Sequence, residues 1–413
     1  MLRRISLLFL SMKLPAINVL SLLLLTNAAL AGDWPQWRGP NRDGTSKETG
    51  WASEWTGEPK IAWNATVGLG FSSIVVSEGR ACTAGHAEGQ DTVFCFDAIT
   101  GKEIWKHSYP AELGDKYYEG GTTGTPVFDG GRLYWLSRWG DLFCFEAASG
   151  KIVWSKNIAT ETGAKIPSWG FTGAPLVHEK LLVLNAGEAG MGVDKQTGAI
   201  AWKSANKEDA GYSTPLPIQR GGAWLALLGS EKSYLAVDIA SGKEAWRHKW
   251  LTQYGVNAAD PIVSGDQIFI SSGYGKGGAL LKLGGQQPEE LWKTKALKTQ
   301  LNPAVLFEGH LYGPDGDTTR TAELKCLEFA TGTEKWSEPG FGTGGVIIVE
   351  GKLIALNAAG ELTIGPASPA GFKPSARAQV LGGKCWTAPV LANGIVYCRN
   401  SAGEIAAVDL RKK

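Results

Sequence analysis

The stretch VFCFDAITGKEIW, residues 93–105, decides the fold. An apolar run leads to an acid, a small-residue turn closed by Gly101, and a second extended run ending in Trp105. That order reads as two antiparallel strands joined by a tight turn. The chain then repeats it. LFCFEAASGKIVW ends at Trp154, GVDKQTGAIAW at Trp202, YLAVDIASGKEAW at Trp246 and KCLEFATGTEKW at Trp336, while a degenerate copy, LLKLGGQQPEELW, ends at Trp292. Counted from Trp63, successive tryptophans lie 42 to 49 residues apart by difference of residue numbers. A period of that length, filled with strand and turn signals alone, is that of a β-propeller blade.

The unit closing at Trp154 shows the parse most clearly. Thr125–Phe128 forms an inner strand, Arg132–Ser137 a second and Leu142–Glu146 a third, and the turn at Gly150 leads into the fourth. Inner strands begin near Phe71, Thr125, Ala174, Thr214, Asp260, Asn302, Gly344 and Thr387, which gives eight units. The last stops after three strands at Leu410, and Lys60–Trp63 can supply its missing outer strand, closing the ring and hiding the open edges. The unit from Gly344 to Leu381 carries no such Trp. The expected fold is therefore all-β: an eight-bladed propeller of four-stranded antiparallel blades, closed by an N-terminal strand. Trp63, Trp105, Trp154, Trp202, Trp246, Trp292 and Trp336 are its structural docking residues, because seven equivalent catalytic tryptophans make no chemical sense. The propeller domain spans residues 60–413 and an extended segment, residues 32–59, precedes it.

Residues 1–31 join a basic start (Arg3, Arg4), an apolar run (residues 19–25) and a small-residue ending at Ala31, the pattern of a cleavable secretory signal. Met12 could equally be the start. No Cys follows the apolar run until Cys82, so a non-lipidated protein of the periplasm or cell exterior is expected, a monomer with no membrane span after residue 31. Beyond residue 31 the chain has 38 basic and 40 acidic residues and no basic run, which argues against nucleic acid as partner.

The repeat also governs the six cysteines. Cys95, Cys144 and Cys326 share a position that holds Gly192 and Ala236 in other units, so it selects for small size and its thiols are expected to be inert. Cys82 differs. A turn centred on Glu88 and Gly89 would place it opposite Cys95, close enough for a disulfide.

In a four-stranded blade, the loops between second and third strands share a face with the connections between blades. That face collects Arg138, Tyr212, Asn257, Asp260 and Trp386, with Trp169 as a stacking platform, Asn302 as a polar anchor and Arg399 as an anion partner. Rings, amides and cations around a channel mouth suit a flat anion, a glycan or a peptide. The string from Gly273 to Gly278 matches a dinucleotide motif but links two strands, where a hairpin turn is expected. The oxygen-rich run from Asp315 to Glu323 lacks EF-hand spacing, and the five His are scattered, so no metal site is expected. No residue stands out as catalytic.

DAITGKEIW and its copies resemble the pyrroloquinoline quinone (PQQ) type propeller repeat, shared by quinoprotein dehydrogenases and BamB-like outer-membrane assembly proteins. DWPQWRGPNRDG (residues 33–44), SWGFTGAPL and AGYSTPL further resemble the exported PQQ-repeat-like propellers of planctomycetes. The resemblance implies the propeller, and either of two functions. One is a binding or scaffold module of the cell envelope, acting on an envelope protein, peptide or glycan. The other is a PQQ-dependent alcohol or sugar dehydrogenase using Ca²⁺. The dehydrogenases carry adjacent cysteines beside the quinone, and here no two Cys are adjacent, which leans against the enzyme.

Overall fold

Each copy of the phrase folds as the outer half of a four-stranded sheet. In blade 2 the strands are Val127–Asp129, Arg132–Leu136, Asp141–Glu146 and Ile152–Asn157, hydrogen-bonded in that order from the axis outward. The structure is a computed structural model that describes residues 32–318 and 322–412. The signal sequence expected at residues 1–31, with its alternative start at Met12, and the centre of the 315–323 run lie outside the described residues. Eight such sheets make the ring, and the eighth takes Ile61–Thr66 as its outer strand against Glu404–Asp409, the expected closure. The only helix among the described residues is Ile158–Thr162, and no helix there is long and apolar enough to cross a membrane.

In blades 2 and 6 one row of side chains alternates large, small and large. Tyr134, Cys144 and Trp154 are cross-strand neighbours, as are Tyr312, Cys326 and Trp336. The small central residue lets the two rings meet over it: Tyr134 and Trp154 lie 6.2 Å apart, Tyr312 and Trp336 6.0 Å. Burial pushes the Cys144 and Cys326 thiols up to about 11, so they stay protonated and unreactive at neutral pH.

The docking contact of each Trp is with the next blade. Trp63 Nε1 donates to Ala98 O (3.0 Å), Trp105 to Ala147 O (2.9 Å), Trp154 to Lys195 O (3.1 Å) and Trp202 to Ile239 O (2.8 Å). The turn glycine of that next blade lies against the same ring. Gly150 has φ +70°, and a Cβ there would come within 2.5 Å of the Trp105 indole. The Gly and the Trp of one phrase therefore serve two different interfaces. The degenerate phrase shows the consequence: lacking the turn, blade 5 has its Leu283 carbonyl taken by the Arg220 guanidinium, at the position where Trp246 would dock. Blade 7 has no Trp, and the N-terminal segment substitutes. Trp51, 2% exposed, bridges Arg411, and Ala52 N donates to Leu410 O (2.6 Å), the carbonyl a docking Trp would otherwise use.

That segment, residues 32–59, fills the channel from the face of the short Gly turns. Trp34 exchanges two backbone hydrogen bonds with Val76 on the inner strand of blade 1, and Pro35 O accepts from Phe128 N in blade 2. Arg42 reaches Val177 O in blade 3, and Arg38 reaches Ala304 O at the entry to blade 6. Thr45–Ser46 pairs in parallel with Ile348 and Val349 of blade 7, and Glu48 accepts from Asn393 N in blade 8. Inner strands present open edges to the axis, and this segment pairs with those of blades 1, 2 and 7.

Cys82 and Cys95 face each other across a two-residue turn whose residues, Glu88 and Gly89, both have positive φ. The geometry expected for a bridge is present and the bridge is not: both thiols are free and fully buried. Burial raises the Cys82 thiol well above its ordinary range and keeps it in the unreactive form.

Candidate functional site

The connections between blades are longer than the turns on the opposite face, and they wall a bowl of about 760 Å³ around the axis. Its floor is the tip of the N-terminal segment. Trp37 Nε1 donates to Asp260 Oδ2 (2.7 Å), and the second carboxylate oxygen accepts from Thr214 N (2.7 Å). Beneath lies Arg38, fully enclosed, its guanidinium lowered by burial and raised by the Asp260 charge. Burial lifts Asp260 to about 6, against the smaller pull of Arg38 and of the two donated hydrogen bonds. Above pH 6 the floor is thus a carboxylate balanced by one buried cation.

The folded carboxyl titrates above its ordinary 3.8, so the native state binds the proton more readily than the unfolded chain. Its contribution to stability is complete below about pH 4 and is lost as pH rises to about 6. Relative to Asp260→Asn, the wild type should lose on the order of 2–3 kcal/mol across that window and run parallel above it. Urea midpoints of the two proteins measured from pH 4 to 7 check this; a constant offset throughout would remove Asp260 as the titrating group.

The wall is aromatic and hydroxylic. Of the 22 lining residues nine are aromatic, nine are uncharged polar residues and one, Asp260, is charged. Trp169 sits between Tyr117 (5.2 Å, 39°) and Tyr212 (5.7 Å, 82°). Trp386 stacks on Phe71 (5.4 Å, 23°), with Lys384 Nζ 4.3 Å from its ring centre. Tyr274 accepts from Gln300 Nε2 (2.7 Å) and meets Tyr254 edge-on at 4.9 Å. Neighbouring contacts fix these ring planes, so little freedom is left to lose when a ligand arrives.

Of the residues singled out from sequence, Trp169, Tyr212, Asp260, Asn302 and Trp386 line the bowl. Asn302 donates its amide to Trp386 O (2.7 Å), Gly344 O (3.0 Å) and Thr343 O (3.4 Å), which leaves Oδ1 as its ligand-facing acceptor. Three others are not in the lining. Arg399, expected to meet an anion, is 1% exposed and donates to Ser72 O, Ala84 O, Gly68 O and Thr83 Oγ1. It ties the last blade to the first, and burial without a carboxylate partner lowers it to about 9. Arg138 donates to the Tyr118 hydroxyl (2.8 Å) and to Trp169 O (3.4 Å), positioning two wall residues from behind. Asn257, fully buried, holds Ser230 O, Trp250 O and the Ser272 hydroxyl.

Sequence reading missed Trp37, Phe71 and the pair Tyr117 and Tyr118. The signal for Trp37 was present: DWPQWRGP places two Trp in a segment ahead of the first strand, too aromatic to be left in solvent.

A family model described as outer membrane protein assembly factor BamB matches residues 89–338. No curated protein matches. Among solved structures, BamB from Moraxella catarrhalis superposes with a TM-score of 0.64 at 15% identity, covering 85% of this chain and 100% of that one. Quinohemoprotein alcohol dehydrogenase from Comamonas testosteroni gives 0.74 at 14% identity, covering 94% and 82%, and a europium-containing methanol dehydrogenase 0.70 at 13%, covering 89% of each. At such identities the structures share the fold and nothing finer. The family model matches more than half of the chain, and the chain belongs to the PQQ-like propeller family described as outer membrane protein assembly factor BamB.

Proposed function

We propose that this propeller is a binding module of the cell envelope, exported by the sequence at residues 1–31, with the bowl on the connection face as its working site. One observation carries the reading: nine rings and nine uncharged polar residues converge on a closed-bottomed cavity within the size range of ligand sites. Membership of a family described by an outer-membrane assembly factor supports the envelope as its place of action.

The residues present do not suit a quinone. PQQ is a flat tricarboxylate; the rings would accept its plane, but no Arg or Lys lines the bowl and the one charge there is itself a carboxylate. Arg38 lies below that carboxylate and is already engaged by Asp43 O and Ala304 O. Among the described residues no three His, Cys, Asp or Glu cluster to hold a metal ion.

Calorimetric titration of the chain from residue 32 with PQQ, with and without Ca²⁺, is expected to show no saturable heat. One-to-one binding strengthened by Ca²⁺ would overturn this reading in favour of a quinoprotein dehydrogenase.

A further inference from the structure

We propose that the bowl binds the end of a neutral saccharide chain, an inference that rests on the bowl being the ligand site. A sugar ring presents a face of C–H groups, an edge of hydroxyls that both donate and accept, and no net charge. Its binder needs fixed aromatic faces, hydrogen-bonding groups of both kinds, and no countercharge. The bowl supplies all three.

Trp386, held by Phe71 and Lys384, and Trp169, held by Tyr117 and Tyr212, place fixed rings in two sectors of the wall. Asn302 Oδ1 and the Asp260 carboxylate accept from sugar hydroxyls, and the hydroxyls of Thr125 and Thr214, which accept from Ser73 N and Ala174 N, keep a proton to donate. An anionic ligand would find no cation among the lining residues, where the one charge is Asp260, already balanced by Arg38 beneath it. A peptide strand would need an unpaired backbone edge, and the N-terminal segment already takes those of blades 1, 2 and 7. Because Trp37 seals the floor, a chain can enter but not pass through. Recognition is therefore of a terminus, and affinity should stop growing once the bowl is full.

The test is calorimetry of the mature chain against neutral gluco-, xylo-, manno- and N-acetylglucosamine oligosaccharides of increasing length, beside neutral peptides of similar mass. At least one saccharide series is expected to bind one-to-one and reach a length plateau. Trp169→Ala and Trp386→Ala should each weaken it by about tenfold or more. Tyr117→Ala removes a ring that is 56% exposed at the rim; it should leave folding intact and still weaken binding several-fold. Trp224→Ala, near the turns of the opposite face, should change nothing. If no neutral saccharide binds, the inference is overturned. Peptide binding lost in the same ring variants would overturn the saccharide while leaving the bowl as the site; a ligand whose affinity ignores all three ring variants would overturn both.

Discussion

A chain lacking residues 32–56 is expected to lose cooperative unfolding and to bind hydrophobic dyes at neutral pH. Trp34 and Trp51 are 1% and 2% exposed, and each buried ring of this size removes about 150–250 Å² from water. At about 25 cal/mol per Å² that is up to roughly 4–6 kcal/mol per ring, so the pair alone approaches the whole stability of an ordinary domain. Deletion would also open the inner edges of blades 1 and 7 and free the Leu410 carbonyl at the interface where blade 7 has no Trp. Urea denaturation followed by fluorescence and circular dichroism is the check; a single sharp transition near that of the full chain would show that the segment is dispensable.

Trp105→Ala is expected to cost about 3–5 kcal/mol, since the indole is 8% exposed and its N–H bond to Ala147 O goes with it. Trp154→Ala, at a half-buried copy, should fall at the lower end of that range. Gly150→Ala should cost about 2–4 kcal/mol, combining a left-handed backbone with a Cβ pressed into the Trp105 ring. The two effects are not independent. Once Trp105 is truncated the overlap has no partner, and Gly150→Ala should then retain only its backbone cost of about 1–2 kcal/mol. The double variant is thus expected to be more stable than the sum of the singles by about 1–3 kcal/mol. Chemical denaturation of all four proteins measures this coupling, and strict additivity would mean that Gly150 and Trp105 do not share an interface.

The propeller was legible because its signal repeats. A turn such as Asp97 to Gly101 followed by Trp105 has a local meaning, and successive copies fix the period even where Trp292 ends a degenerate one. The site was legible only as a face. Sequence shows that Arg399, Arg138 and Asn257 carry hydrogen-bonding groups there; it does not show that backbone carbonyls of neighbouring turns and blades already hold them. The partners of Asn257 lie 7 to 27 residues away in the chain, whereas those of Arg399 lie 315 to 331 residues away, so no window around Arg399 contains the answer. Trp37 was hidden for the same reason, since its carboxylate partner lies 223 residues downstream. The repeat made the docking tryptophans and the ring closure legible, whereas the partners of Arg399 and Trp37, which no repeat marks, were not.

The closure of the ring has a kinetic side. Ile61–Thr66 pairs with Glu404–Asp409, and the segment before it caps a blade built from residues beyond 390. Ile61–Thr66 is therefore made long before the strand it pairs with, and until Glu404–Asp409 arrives the earlier blades stand with a bare flank. Such a topology delays completion until synthesis ends and leaves adhesive strand edges exposed meanwhile. That exposure ends when Glu404–Asp409 meets Ile61–Thr66.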